Sequence, residues 1–250
     1  MQTEEVLDQL AARASDAHER WYVGYHRRRY RFLLERVDAL RAATGAPSSG
    51  EGLRILDVGP YLQTAVLRAR YPEAIVNSAG QADPELDAGG SDHSNPGLEG
   101  RAGERHFEVD LNALDDPGRV PALPEHDIAV MAEVIEHLYS APAVLAQIAR
   151  WLRPGGHLVL QTPNAVALHK RLRILAGRSP CSVTDHGHIH EFMVGELTDA
   201  AAEAGFDVDG VWLRNYFERP GVGGRFWTAV GPVLPPKMRH GITLSLTKRS

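Results

Sequence analysis

Short apolar runs alternate with amphipathic segments of helix length over most of the chain. The runs are four to six residues long and rich in Val, Ile and Leu, which is typical of buried strands. Predicted strands lie at residues 53–58, 74–78, 106–109, 127–131 and 157–162. Predicted helices lie at residues 62–70, 112–120, 140–152 and 195–204. Because a repeat of strand and helix brings parallel strands side by side, the pattern predicts an α/β fold with a doubly wound sheet.

The two ends of the chain depart from this alternation. Residues 4–43 have apolar positions at three- and four-residue steps, which predicts an N-terminal helical segment, and the Gly- and Ser-rich stretch 45–50 ends it. Near the other end, residues 208–213 and 241–246 are typical of strands that are joined without a long helix. Two further segments rich in Gly, Pro and polar residues are predicted to be long irregular loops: 81–105 and 219–237.

Composition is typical of a globular domain. Of the 250 residues, 43% are hydrophobic, which is normal for a chain with one sizeable core. Charge or proline interrupts the longest apolar runs, and the N-terminus lacks a signal-peptide pattern, so we expect a cytoplasmic protein without a transmembrane span. Because Cys181 is the single cysteine, an internal disulfide and a cysteine-cluster metal site are excluded.

The charge balance argues against a nucleic-acid substrate. The formal net charge is −5, so no general attraction to phosphate backbones is expected. One basic run, residues 26–31, could bind an anionic group. Since Glu19, Glu35 and Asp38 flank this run, a solvent-facing helix surface is the favoured interpretation.

The densest group of reactive side chains follows the fourth predicted strand. Glu133, Glu136 and His137 lie within five residues of one another, directly after the apolar run 127–131. Open α/β sheets bind ligands at the carboxyl ends of their strands, so this group is a candidate active site. The first predicted strand also ends in an acid and a glycine, Asp57 and Gly59.

Several segments, taken in order, resemble those of the class I S-adenosylmethionine (SAM)-dependent methyltransferases. They are Asp-Val-Gly at 57–59, Glu-Val-Ile-Glu-His-Leu at 133–138, Leu-Arg-Pro-Gly-Gly at 152–156, Thr-Pro-Asn at 162–164 and Ala-Gly-Phe at 204–206. The resemblance covers roughly residues 50–212. It implies a Rossmann-like doubly wound sheet of seven strands with an antiparallel closing hairpin.

The resemblance also implies two units in the chain. Residues 1–48 would form an N-terminal helical cap, and residues 49–250 would form the methyltransferase domain. Such a cap often closes over the cofactor, and the loop 81–105 is expected to be a second lid. The lid candidates of the cap are the aromatic residues Trp21, Tyr22 and Tyr25. In the alternative interpretation, these aromatic residues simply seat the helices on the core.

By the same resemblance, SAM is the cofactor and lies where the first strand turns into the first helix. Asp57 would stabilise its cationic end, and Gly59 would let the backbone approach it closely. Further candidate contacts are Gln81 or Asp83 for the ribose, Asp110 with Leu111 for the adenine, and Glu133 near the sulfonium. A helix N-cap is the alternative role of Asp110. The sequence departs from the family where the usual three alternating glycines are reduced to Gly59 alone.

The acidic group after the fourth strand also predicts a divalent-cation site. Carboxylate and imidazole donors suit Mg²⁺ or Mn²⁺, and a helical turn would place Glu133, Glu136 and His137 on one face. His188 resembles a further metal ligand of small-RNA 2′-O-methyltransferases, and Asn164 resembles a ligand in ubiquinone-pathway O-methyltransferases. The predicted catalytic residues are therefore His137, His188 and Glu136. In the alternative without metal, His137 acts as a general base or caps the turn.

These features predict an O-methyltransferase. A bound cation lowers the pKa of an aliphatic hydroxyl, so the metal ligands favour a hydroxyl acceptor, and a sugar or glycan is the first expectation. The alternatives are a phenolic or polyketide natural product methylated without metal, an RNA 2′-hydroxyl, and a SAM-binding scaffold without activity. The expected partner is a small molecule or glycan, with neither a nucleic acid nor a membrane. A homodimer is left open.

Overall fold

A seven-stranded sheet organises the part of the chain that the structure describes. The computed structural model describes residues 2–14, 17–81, 100–114, 120–180, 187–216 and 231–250. Its strands are β1 (Arg54–Val58), β2 (Ile75–Gly80), β3 (His106–Glu108), β4 (His126–Ala132), β5 (Leu152–Pro163), β6 (Phe206–Arg214) and β7 (Gly241–Lys248).

The strand order defines where a ligand can bind. The order across the sheet is β3-β2-β1-β4-β5-β7-β6. Strands β1 to β5 are parallel, and β7 lies antiparallel between β5 and β6. The order reverses between β1 and β4, which is the switch point at which open α/β sheets bind ligands. The prediction of a Rossmann-like doubly wound sheet with an antiparallel closing hairpin is confirmed.

Helices connect these strands and depart from the predicted pattern in three places. The described α-helices are α1 (Thr3–Arg13), α2 (Ala17–Thr44), α3 (Leu62–Arg70), α4 (Ala141–Trp151), α5 (Leu168–Leu175) and α6 (Val194–Glu203). The single helical segment predicted over 4–43 is therefore two helices. Where a helix is predicted over 112–120, residues 111–114 form a turn, and residues 115–119 are not described. Helix α5 was not predicted.

Apolar side chains from both faces of the sheet form two buried clusters. One face is covered by α4 and α6, whose Val144 and Leu197 share a cluster with Leu56 of β1. The other face is covered by α1, α2 and α3, and Leu33 of α2 shares a cluster with Ile55 of β1. Neighbouring residues of β1 thus face opposite helical layers, as the pleat of a strand requires.

The N-terminal helices pack on the sheet rather than standing apart from it. Val6 and Leu7 of α1 are fully buried in the cluster that includes β1. The aromatic start of α2 extends beyond this cluster, where Trp21 is 48% exposed and stacks on Tyr25 with ring centroids 5.0 Å apart. The division into a cap and a methyltransferase domain stays a prediction, and so does the closure of a lid.

Several predicted features lie outside the described residues. These are Asp83, Cys181 and His186, together with most of the loops predicted over 81–105 and 219–237. Within the described ranges, no helix combines the length and the apolar composition needed to cross a bilayer.

Candidate active site

The turn after β1 brings three segments together. Gly59 has a φ of +77°, a left-handed conformation that glycine adopts without strain. Its N–H donates to the carbonyl oxygen of Ala79 in β2 at 2.9 Å. A Cβ atom at position 59 would overlap Cγ2 of Val134, which lies just after β4. Both the backbone and the packing therefore require glycine here, and the bare backbone can approach a ligand closely.

Asp57 lies beneath this turn. Its side chain is fully buried, and its Oδ2 accepts a hydrogen bond from the hydroxyl of Thr64 in α3. Its Oδ1 is also buried and has no hydrogen-bond partner among the described residues. Burial raises the pKa of Asp57 to about 7. Asp57 thus braces the turn against α3, and its contact with the cofactor stays a prediction.

The predicted ribose and adenine contacts follow β2 and β3. Gln81 comes directly after β2 and is exposed. Asp110 is exposed, and its Oδ1 accepts from the backbone N–H of Asn112 at 2.9 Å within a local turn. Its alternative role as a helix N-cap stays a prediction. Leu111 is buried beside it. The cofactor roles of these residues stay predictions.

Glu133 adopts an unusual backbone conformation directly after β4. Its φ of +59° is the only positive value of a non-glycine residue among those described. Its N–H donates to the carbonyl oxygen of Gln161 in β5 at 2.8 Å. Its carboxylate Oε2 lies 3.7 Å from a guanidinium nitrogen of Arg29 in α2. Backbone strain of this kind concentrates at functional sites.

Arg29 is a site residue that the sequence analysis missed. The basic run 26–31 was interpreted as a solvent-facing surface, but the Arg29 side chain is 2% exposed and reaches Glu133. The available signal was the helical period, because position 29 lies four residues before Leu33 on the buried face of α2. An arginine on such a face needs a partner for its charge. That requirement predicts a nearby acidic partner, which in the structure is Glu133.

Glu136 is a fully buried carboxylate in the 3₁₀ helix Ile135–His137. The hydroxyl of Thr162 donates to its Oε2 at 2.9 Å, whereas Oε1 has no hydrogen-bond partner within the described part of the chain. Burial and the nearby charge of Glu133 raise the pKa of Glu136 well above its usual range. A cation or a hydrogen-bond donor would stabilise its buried Oε1.

Two imidazoles lie beside Glu136. The backbone N–H groups of Ile189 and His190 donate to the carbonyl oxygen of Glu136 at 2.9 and 3.1 Å, which positions the segment that carries His188. The rings of His137 and His188 meet edge to face with centroids 4.9 Å apart. One possible ligand atom from each of Glu136, His137 and His188 lies within 4.8 Å of the other two. The fold thus brings these three predicted site residues together.

Hydrogen bonds orient both imidazoles. Nδ1 of His137 lies 3.2 Å from the carbonyl oxygen of Gly187, and Nδ1 of His188 lies 3.2 Å from Oε1 of Glu191. Because both partners are acceptors, each Nδ1 donates, and in the neutral form of each ring the lone pair is on Nε2. This arrangement is common in metal-binding histidines and also suits a general base.

Two other predicted metal ligands have different contacts. The carboxylate of Glu133 faces Arg29, and the helical turn predicted from position 133 begins only at Ile135. The side-chain nitrogen of Asn164 donates to the carbonyl oxygen of Arg239 at 2.8 Å, so it holds the chain before β7. The roles of Glu133 and Asn164 as metal ligands stay predictions.

Aromatic residues of α2 border the turn after β1. Tyr22 packs edge to face against Tyr61 with ring centroids 5.3 Å apart. Tyr61 lies in the segment after Gly59, where the resemblance described above implies alternating glycines. Among the three lid candidates, Tyr22 therefore contacts the candidate cofactor loop, while Trp21 and Tyr25 stack on each other.

Comparisons with known proteins match this architecture. A family model described as a methyltransferase domain matches residues 25–211, which is more than half of the chain. Trans-aconitate 2-methyltransferase of Mycobacterium sp. (strain KMS) is 29% identical over 174 residues, which cover 65% of this chain and 61% of that protein. Trans-aconitate 2-methyltransferase of Methylobacterium nodulans is 30% identical over 131 residues, which cover 51% of this chain and 45% of that protein.

Solved structures share the fold at low sequence identity. The crystal structure of a SAM-dependent methyltransferase from Mesorhizobium loti has a TM-score of 0.52 at 20% identity, covering 84% of this chain and 96% of that one. A SAM-dependent methyltransferase from Archaeoglobus fulgidus has a TM-score of 0.50 at 14% identity, covering 86% of this chain and 94% of that one. The chain spans at most 61% of the length of the two curated relatives described above. By its family match and its fold, the chain belongs to the class I SAM-dependent methyltransferase family.

Proposed function

We propose that the protein is a SAM-dependent methyltransferase that binds its cofactor at the carboxyl ends of β1 and β4. The turn at Gly59 supports this proposal, because its backbone can approach a ligand at the switch point of the sheet. Glu133, whose backbone is in the left-handed conformation, follows the neighbouring strand β4. The next residue, Val134, packs against the turn at Gly59. The proposed cofactor contacts are Asp57, Gly59, Gln81 or Asp83, Asp110, Leu111 and Glu133.

We further propose that the acceptor is a hydroxyl group held beside a divalent cation, Mg²⁺ or Mn²⁺. The observation that carries this proposal is the convergence of ligand atoms from Glu136, His137 and His188 within 4.8 Å. The donors fit such an ion, because Glu136 presents a buried carboxylate oxygen without a partner in the described chain and the imidazoles have their lone pairs on Nε2. When bound, the cation would lower the pKa of the acceptor hydroxyl and fix its position.

The side chains around the trio would supply alignment and proton removal. Methyl transfer from a sulfonium is an in-line displacement on an already activated donor, so these are the main tasks of the enzyme. A ligating Nε2 cannot also accept a proton, so the base is whichever imidazole, His137 or His188, does not bind the cation. Its Nε2 can accept the proton of the acceptor hydroxyl. The carboxylate of Glu191, which accepts from Nδ1 of His188, would then stabilise the imidazolium.

A sugar or glycan hydroxyl is the first acceptor class in this proposal. Aliphatic hydroxyls hold their protons tightly near neutral pH, so they gain most from a cation-binding site. The relatives named trans-aconitate 2-methyltransferase support a second candidate, which is methylation of a small organic acid. Phenolic natural products and RNA 2′-hydroxyls are further outcomes that the same assay would reveal.

A methyl-transfer assay with labelled SAM tests the proposal. Pools of glycosides, organic acids, phenols and short RNAs are offered separately in the presence of magnesium. We expect transfer to glycosides that is lost in Glu136→Gln, which keeps the shape of the side chain but removes its charge. Glu125→Gln makes the same change at an exposed position before β4 and should keep full activity. Transfer to organic acids alone would support the second candidate, and full activity of Glu136→Gln would contradict the cation site.

A further inference from the structure

A cavity of about 310 Å³ lies between α2 and the end of β6. Four arginines line it: Arg28 and Arg31 of α2, Arg214 at the end of β6, and Arg239 before β7. The exposed Glu35 also lines the cavity. The volume is at the lower end of the range for small-molecule sites. The cavity can therefore hold a small ligand or one end of a larger one.

This cavity opens at the same edge of the sheet as the candidate active site. Arg214 pairs with Gly241 at the start of β7, and Gly241 pairs in turn with Pro163 at the carboxyl end of β5. Neighbouring strands lie roughly 5 Å apart, so Arg214 is about 10 Å from the end of β5. A single extended small molecule can cover that distance.

Two structural links join the cavity to the candidate active site. Tyr216 lines the cavity and hydrogen-bonds the hydroxyl of Thr243, which also accepts from the side chain of Gln161 at 3.1 Å. The carbonyl oxygen of Gln161 accepts from the N–H of Glu133. Helix α2 forms the second link, because Arg29 faces Glu133 while its neighbours on the helix line the cavity.

The lining of the cavity concentrates positive charge in an otherwise acidic chain. The net charge of the protein is −5, yet four guanidinium groups line this cavity with one carboxylate, and one of the four, Arg31, is also ion-paired with Glu4 of α1. Arg214 lies over the ring of Phe32, with Cζ 4.0 Å from the centroid, and Arg239 donates to the carbonyl oxygen of Leu234 at 3.2 Å. A ring face and a carbonyl oxygen orient a guanidinium without cancelling its charge. The cavity is therefore suited to an anion.

We propose that this cavity binds the anionic group of the acceptor, either a carboxylate or a phosphate. The inference rests on the proposed hydroxyl methylation and narrows its substrate class to hydroxylated anions, such as an acidic or phosphorylated sugar. The planar guanidinium matches the paired oxygens of both anions. The anion occupies the arginine-lined cavity while the hydroxyl to be methylated lies at the trio of Glu136, His137 and His188.

Calorimetry on the protein saturated with S-adenosylhomocysteine tests this inference without requiring catalysis. The probes are glucose 6-phosphate, glucuronate and, as the neutral reference, glucose. We expect Arg28→Gln and Arg214→Gln each to weaken binding of an anionic probe by about tenfold or more, because each removes a hydrogen bond to a charged group. Arg150→Gln removes the same charge from an exposed position of α4 at the opposite edge of the sheet and should leave binding unchanged. Unchanged affinity for S-adenosylhomocysteine shows that a variant is folded.

The outcomes separate this inference from the proposed function. Tighter binding of one anionic probe assigns the cavity to the phosphate or to the carboxylate. Equal binding of glucose and both anions, or anion binding that neither Arg28→Gln nor Arg214→Gln weakens, overturns the inference. If neutral glycosides are methylated with a KM that these two substitutions leave unchanged, the proposed function stands and the inference falls. If both substitutions abolish anion binding but no hydroxyl is methylated, the anion site stands and the proposed function falls.

Discussion

Replacing Gly59 by alanine should both destabilise the fold and weaken SAM binding. Gly59 has a φ of +77°, where a residue with a side chain costs about 1–2 kcal/mol. The added Cβ would overlap Cγ2 of Val134 and lie 3.2 Å from its Cγ1. Overpacking of this kind costs about 1–3 kcal/mol. We therefore expect Gly59→Ala to lower the free energy of unfolding by about 2–5 kcal/mol.

Urea denaturation of the wild type and three variants measures the two contributions separately. Adding Val134→Ala to Gly59→Ala removes the overlapping methyl groups, so it should recover the packing contribution but not the backbone strain. Gly24→Ala is the matched control, because Gly24 lies in α2 and a Cβ added there would meet no described atom within 4 Å outside the helix's own backbone. It should stabilise the protein by up to about 1 kcal/mol through helix propensity. Calorimetry with SAM on each folded variant completes the set.

Two results would refute this reasoning about the turn. The first is a free energy of unfolding for Gly59→Ala within about 0.5 kcal/mol of the wild-type value, which is the usual effect of a neutral surface substitution. It would mean that neither backbone strain nor packing constrains position 59. An unchanged SAM affinity in a destabilised but folded variant would show that the turn lies outside the cofactor site.

Two further predictions concern buried charge. Arg29→Met should lower the free energy of unfolding by about 3 kcal/mol, because it leaves the carboxylate of Glu133 without its partner. Adding Glu133→Gln should recover part of that loss. A double-mutant cycle that shows no coupling between the two positions would contradict the ion pair. Burial lowers the pKa of His126 to about 4 from 6.5, so its contribution to stability is present above pH 6.5 and is lost as the pH falls through 4. Between pH 6.5 and pH 4, the free energy of unfolding from urea denaturation should fall by about 3 kcal/mol more for wild type than for His126→Gln. Equal decreases would contradict a neutral, buried imidazole at position 126.

The sequence predicted the sheet because its central strands contain short apolar runs that bury both faces, as in β1 and β4. The residues at the ends of β1 and β4 were predicted for the same reason, since a polar group directly after a buried strand lies at the ligand edge. The start of β5 was predicted too late, because Pro154 and Gly155 suggested a turn where the structure has strand. Helix α5 was missed because its Leu172 and Leu175 are exposed, so it has no clear buried stripe.

The contacts across elements could not be predicted from local pattern. The pairing of Arg29 with Glu133 depends on which face of α2 lies over β4, and that orientation follows from the packing of the whole helical layer. The left-handed conformation of Glu133 could not be predicted either, because a glutamate has no local preference for it. The approach of His188 to His137 was suggested only by the family resemblance, since the two residues belong to separate segments.

Turnover of chelator-treated wild-type protein, measured as magnesium is added back, tests the proposed cation-assisted methylation most directly. The acceptor is the best one found in the transfer assay, and SAM affinity is measured in parallel. We predict that chelation lowers turnover by at least about a hundredfold, since a cation at a reacting oxygen contributes several kcal/mol, and that magnesium restores it while SAM affinity stays unchanged. Turnover that survives chelation undiminished would contradict the cation site and leave His137 or His188 as a simple general base.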